Sequence, residues 1–95
     1  MQLTELDNFK SEIYLLANKF GVKNIKVFGS VARGDADDDS DIDFLVEMDK
    51  GRTLLDRIGF KQELLKILDC KVDVISIKAV KGRIKENILR EAVSL

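Results

Sequence analysis

The 95 residues contain no histidine, no proline and a single cysteine, Cys70. Without imidazole there can be no Ser-His-Asp triad, no His-ligated metal and no imidazole proton shuttle. A lone thiol excludes a disulfide framework and a multi-cysteine zinc site within the chain. No apolar run approaches the ~20 residues of a membrane span. The amino end, MQLTELDNFK, lacks the basic start and apolar stretch of a signal peptide, so the expected setting is the cytoplasm, away from any membrane. Chemistry is left to carboxylates, hydroxyls, the thiol, lysines and arginines. One domain over residues 1–95 is expected, and its 45% apolar residues supply a core without a metal or disulfide staple. At this size roughly 60–65% of the unfolded surface is buried, which leaves no room for a second domain to grip a large substrate.

The net charge of -1 conceals a lopsided distribution. Residues 1–34 carry five basic and three acidic side chains, residues 35–49 none and eight, and residues 50–95 eleven and six. An all-acidic stretch between basic flanks asks for a cation, a basic partner or a disordered loop as its explanation.

Hydrophobic spacing divides the chain into alternating elements. Thr4 and Asp7 resemble a capping box ahead of a helix carrying Leu6, Phe9, Ile13, Leu16, Ala17 and Phe20, with Gly21 as its left-handed end. Ile25 to Phe28 reads as a strand, Ser30 to Arg33 as a brief helix, Gly34 to Ser40 as a loop and Asp41 to Val46 as a second strand. A helix from Thr53 to Leu68 uses Leu54, Leu55, Ile58, Leu64, Leu65 and Leu68. Val72 to Ile77 forms a third strand, and Ile84, Ile88, Leu89, Ala92 and Val93 a last helix. The expected class is α/β or α+β: a small, mixed three-stranded sheet flanked by helices.

Asp41-Ile42-Asp43 places two carboxylates on one face of a strand, with Ile42 and Phe44 turned to the core. Such a pair suits Mg²⁺, which takes one or two carboxylates and completes its octahedron with water and phosphate oxygens. A bare Asp-x-Asp is more often a solvated strand edge. Gly29-Ser30 lies ten residues upstream at the mouth of a turn, where glycine admits close approach and amides and hydroxyl can hold phosphate. Asp73 lies between Val72 and Val74; it either joins the other two acids from a neighbouring strand or faces solvent with Lys71.

Together these residues resemble a known family. GSVARGDADDDSDIDFLV, Gly29 to Val46, is similar to the signature of the DNA polymerase β nucleotidyltransferase superfamily, and most closely to the minimal nucleotidyltransferases encoded beside HEPN-domain proteins in toxin–antitoxin pairs, the MntA-type antitoxins. The likeness extends through the Val72-Asp73-Val74 strand to the ending NILREAVSL. It implies the palm-like fold of that superfamily, with Gly29 and Ser30 on the triphosphate, Asp41 and Asp43 on two Mg²⁺ ions, and Asp73 completing the metal site and helping to activate the attacking hydroxyl. It also implies AMP transfer from ATP to a tyrosine of a HEPN toxin held in a hetero-oligomer. Arg33 is placed either to approach the phosphates or to anchor its loop through neighbouring acids.

Other readings are weaker. GSVARGDA has the glycine spacing of a P-loop but carries Asp35 where the lysine belongs, and an EF-hand starting at Asp35 would need glycine and glutamate where Ser40 and Val46 stand. Asp35, Asp37, Asp38 and Asp39 read as solvated loop residues, and Cys70 as a packed residue at a helix-to-strand junction. Lys78, Lys81, Arg83, Lys85 and Arg90 lack aromatic neighbours, so direct nucleic-acid binding is not expected. Two alternatives to the transferase on protein stand: a binding module that neutralises its partner by covering it, and transfer to a small-molecule hydroxyl.

Overall fold

A computed structural model of the chain describes residues 1–37 and 40–95. A one-turn α1 (Leu3–Leu6) passes through a 3-10 turn into α2 (Lys10–Phe20). There follow β1 (Val22–Phe28), a one-turn α3 (Ser30–Arg33), β2 (Ile42–Met48), α4 (Leu54–Leu68), β3 (Val72–Ser76), α5 (Gly82–Glu91) and β4 (Val93–Ser94).

The described strands form one mixed sheet ordered β3-β2-β1-β4. β1 runs antiparallel to β2 and β4, whereas β2 and β3 are parallel. Parallel neighbours cannot be joined by a hairpin, and α4 supplies the crossover. The sheet therefore has four strands rather than the expected three. Ala92 leaves the helical region at ψ 139°, and Val93, expected on the last helix, pairs with Val27 instead. Two residues are too few for strand alternation to show against the helical spacing before them.

Ile25 and Val27 of β1, Ile42, Phe44 and Val46 of β2, and Val72 and Val74 of β3 pack with Ile13 and Ala17 of α2 and Phe60, Leu64 and Leu68 of α4. Leu54 and Leu55, expected to join this core, are exposed. Leu55 precedes Leu64 by nine residues, about two and a half turns, and so projects from the opposite side of the helix. Asp56 makes the start of α4 definite, because its carboxylate accepts the Thr53 N–H at 2.9 Å. That bond, more than the nearby Arg52 charge, holds the Asp56 carboxyl below its ordinary range.

The first helix begins earlier than expected. Gln2, extended at φ -94° and ψ 162°, is its N-cap, and the Gln2 N–H donates to Glu5 Oε1 at 3.2 Å. Thr4 is already inside the helix, which displaces the expected Thr4–Asp7 box. Gly21 (φ 69°) closes α2 in the left-handed conformation, as its position after the apolar stripe implied.

Candidate active site

β1 ends at Phe28, whose register partner on β2 is Asp43. The next residue, Gly29, has φ 77° and ψ -154°, a combination open essentially only to glycine. A Cβ at Gly29 would overlap Asp43 Oδ2, so the missing side chain is what lets the carboxylate lie against the turn. Ser30 opens α3, and the turn closes on itself through Arg33 N–H to Gly29 O and Asp35 N–H to Ser30 O, each 3.1 Å.

The third acid arrives by strand register. Asp43 is paired with Asp73 across the parallel β2–β3 ladder. Register partners project on the same face of neighbouring strands roughly 4.8 Å apart. Their flanking residues Ile42, Phe44, Val72 and Val74 are buried on the opposite face, as the apolar-acid alternation predicts. Asp41 stands one residue before β2 and is exposed. Burial first, then the charges of Asp73 and Asp41, pushes the Asp43 carboxyl above its ordinary value, while Arg33 opposes the shift. Asp43 thus feels both other acids beside the Gly29 turn, although among the described residues no three His, Cys, Asp or Glu side chains converge closely enough to enclose an ion.

This donor set fits a hard divalent cation. Asp43 and Asp73 are oxygen donors on adjacent strands, their mutual repulsion would be relieved by positive charge, and Mg²⁺ needs only one or two protein carboxylates when a phosphate brings the rest. Asp43 and Asp73 are the pair that could hold it, with Asp41 just before β2 as a further oxygen donor.

Arg33 is engaged by acids: its Nε lies 3.3 Å from Asp35 Oδ2 and its Nη1 3.2 Å from Glu91 Oε2. The pairs with Asp35 and then Glu91 raise the guanidinium pKa further. Glu91, the last residue of α5, also accepts the Gly29 N–H at 2.8 Å. Sequence reasoning did not single it out, although an acid in a final helical turn opposes the helix dipole and signals a compensating partner. Lys61 was also missed. It leaves α4 to reach Asp73 Oδ1 at 3.9 Å, a contact created by helix docking and carrying no local pattern.

Other candidates remain outside the cluster. Asp37 Oδ1 accepts from Ser40 Oγ at 3.0 Å, and Asp38 and Asp39 lie outside the described residues. Cys70 sits half-buried between α4 and β3, where burial pushes its thiol up. A hollow of about 440 Å³ beside Tyr14, Lys26 and Ile77, and another of about 730 Å³ among Lys50, Arg52, Arg57 and Lys78, contain none of the site acids. The acids instead border solvent, with Asp73 about half exposed, which suits a substrate that brings its own charged groups. Among the described residues no helix is long and apolar enough to cross a membrane.

Similarity to known proteins agrees with this geometry. The chain is 39% identical, over 95% of its length and 97% of the relative's, to a Methanocaldococcus jannaschii protein provisionally named a protein adenylyltransferase. It is 40% identical to the protein adenylyltransferase MntA of Thermococcus cleftensis, covering 82% of this chain and 79% of that one. A solved structure provisionally described as a minimal nucleotidyltransferase superposes with a TM-score of 0.89 at 41% identity, covering 100% of this chain and 97% of the other. The MNT antitoxin complexed with a tri-AMPylated HEPN toxin of Shewanella oneidensis shares the fold at a TM-score of 0.69 and 19% identity, over 93% of this chain and 69% of that one. The nucleotidyltransferase domain model matches residues 11–95, and with the Gly-Ser turn set against the paired strand acids the chain belongs to the nucleotidyltransferase domain family.

Proposed function

We propose that residues 1–95 act as one domain that transfers AMP from ATP to a tyrosine hydroxyl of a HEPN-type toxin, and so serve as its antitoxin in a cytoplasmic hetero-oligomer. The observation that carries this reading is the Asp43–Asp73 register beside the Gly29 turn. Its support also includes the identity to a relative named protein adenylyltransferase MntA.

In the proposed reaction the acceptor oxygen bonds to the α-phosphorus of ATP as the bond to the bridging oxygen breaks and pyrophosphate leaves. Gly29 and Ser30 receive the triphosphate, with Arg33 at the far end of the same turn. Asp41 and Asp43 would hold divalent metal, and Asp73 would complete that set and help to activate the acceptor hydroxyl. Two Mg²⁺ ions, when bound, would supply charge stabilisation for the attacking and leaving oxygens. The histidine-free composition is compatible with this assignment, since the Asp73 carboxylate can take the proton that the acceptor hydroxyl loses, in place of an imidazole base.

A second reading, a binding module that covers its partner without turnover, draws on the lack of any three acids among the described residues close enough to enclose an ion. The two are separated by incubating the chain with α-labelled ATP, Mg²⁺ and the product of the neighbouring gene. Label on the partner that is lost in Asp41→Asn or Asp43→Asn and on chelation supports transfer; undiminished labelling in both variants rejects the metal assignment. Suppression of the partner without label establishes the binding module, and label on an added small molecule instead would move the acceptor class.

A further inference from the structure

We infer that Glu91 is a positioning residue for the nucleotide-binding turn, a role that rests on the reading above. One carboxylate from α5 grips both ends of the Gly29–Arg33 turn. Its Oε1 accepts the Gly29 N–H at 2.8 Å and lies 3.3 Å from Arg33 Nη1, while its Oε2 is 3.2 Å from the same nitrogen. Both donors belong to the turn that carries Ser30, and Gly29 is held in a conformation that its own backbone preference does not select.

The arrangement divides the labour of the turn. With its N–H committed to Glu91, the Gly29 peptide is fixed in orientation, so that the side-chain-free Gly29 and the Ser30 hydroxyl present one set surface to phosphate. Arg33 is kept folded back on the turn, paired with Glu91 and Asp35. Glu91 gains nothing from its own helix, because the C-terminal end of α5 carries partial negative charge. The contacts to Gly29 and Arg33 are what stabilise it there. It also sits where α5 hands over to β4, which pairs with β1 at Lys26 and Val27, so the carboxylate is delivered by the same segment that completes the sheet. Glu91 touches the turn and not the reacting atoms.

Two measurements test this on the intact chain. The first is amide hydrogen exchange at Gly29 without nucleotide: Glu91→Ala is expected to accelerate it by about tenfold or more, and Glu91→Gln, which keeps an acceptor oxygen, to restore most of the protection. The second is transfer kinetics, in which Glu91→Ala is expected to raise KM for MgATP about tenfold while kcat stays within about threefold, with Glu91→Gln in between.

Unchanged Gly29 exchange in Glu91→Ala overturns the proposal. So does an unchanged KM. A lowered KM overturns it differently, by making the carboxylate a competitor of phosphate for these donors. If Glu91→Ala does not fold, Glu91→Gln decides alone: retained Gly29 protection with a two- to threefold higher KM supports positioning, and wild-type KM refutes it. Should the wild-type chain bind no nucleotide, the proposed function fails, while Gly29 exchange still reports whether Glu91 orders the turn.

Discussion

Replacing Gly29 by alanine tests whether the acid cluster is built around a missing side chain. Two costs arise in Gly29→Ala. Holding a residue with a Cβ at φ 77° and ψ -154° costs about 1–3 kcal/mol. The new methyl overlaps Asp43 Oδ2, and relieving such a contact costs about another 1–3 kcal/mol. The sum, about 2–6 kcal/mol, is a large part of the roughly 5–14 kcal/mol expected for a chain of this length. It corresponds to a melting temperature lower by at least ~8 °C. Urea unfolding of the wild type, Gly29→Ala, Asp43→Ala and the double variant isolates the second cost. In the Asp43→Ala background only the backbone cost survives, so a coupling energy of about 1–3 kcal/mol is expected. Equal cost of Gly29→Ala in both backgrounds would refute the close approach, and a cost below about 0.5 kcal/mol would refute the backbone argument as well.

Phe60→Ala, which empties a fully buried position facing the sheet, should cost about 3–5 kcal/mol by urea unfolding, whereas truncating exposed Leu55 should cost little. Tyr14→Phe removes the hydroxyl that donates to the Leu95 backbone oxygen at 2.8 Å and should lose about 1 kcal/mol, read as a drop of about 4–8 °C in Tm. Asp56→Asn should lower Tm at pH 7. The folded Asp56 carboxyl is held below its unfolded value, so its contribution is complete above about pH 4 and fades as the pH falls through the folded value; a Tm difference that grows on acidification would contradict this sign. Cys70 should be alkylated several-fold more slowly than a free thiol at pH 8, with the difference vanishing in denaturant.

Much of this was legible because periodicity and chemistry coincide. Val72-Asp73-Val74 reads as a strand buried on one side only, and Ile42-Asp43-Phe44 says the same of its neighbour, so the two acids were expected to meet if their strands did. That the strands are parallel and in register is set by α4 docking its Phe60, Leu64 and Leu68 on the sheet, which no local pattern states. Arg33 had two readings, phosphate or loop acids; in this structure its pairs are with acids, one of them beyond the loop. Glu91 escaped notice because its partners lie about sixty residues earlier in the chain. The fourth strand was hidden by its brevity, and Leu54 and Leu55 looked like core because apolar residues in a first turn carry no mark of which side the sheet will take.

The pairing of Asp43 with Asp73 also acts as a check on folding. These residues are 30 positions apart in the chain and meet only after α4 has crossed the sheet. A slip of β3 by one residue would turn Asp73 into the apolar core and set Val72 or Val74 beside Asp43. The energetic penalty for that error and the loss of the third acid are the same event. A chain caught in the wrong register would bury an unpaired carboxylate, and so would be prone to unfold and pair again.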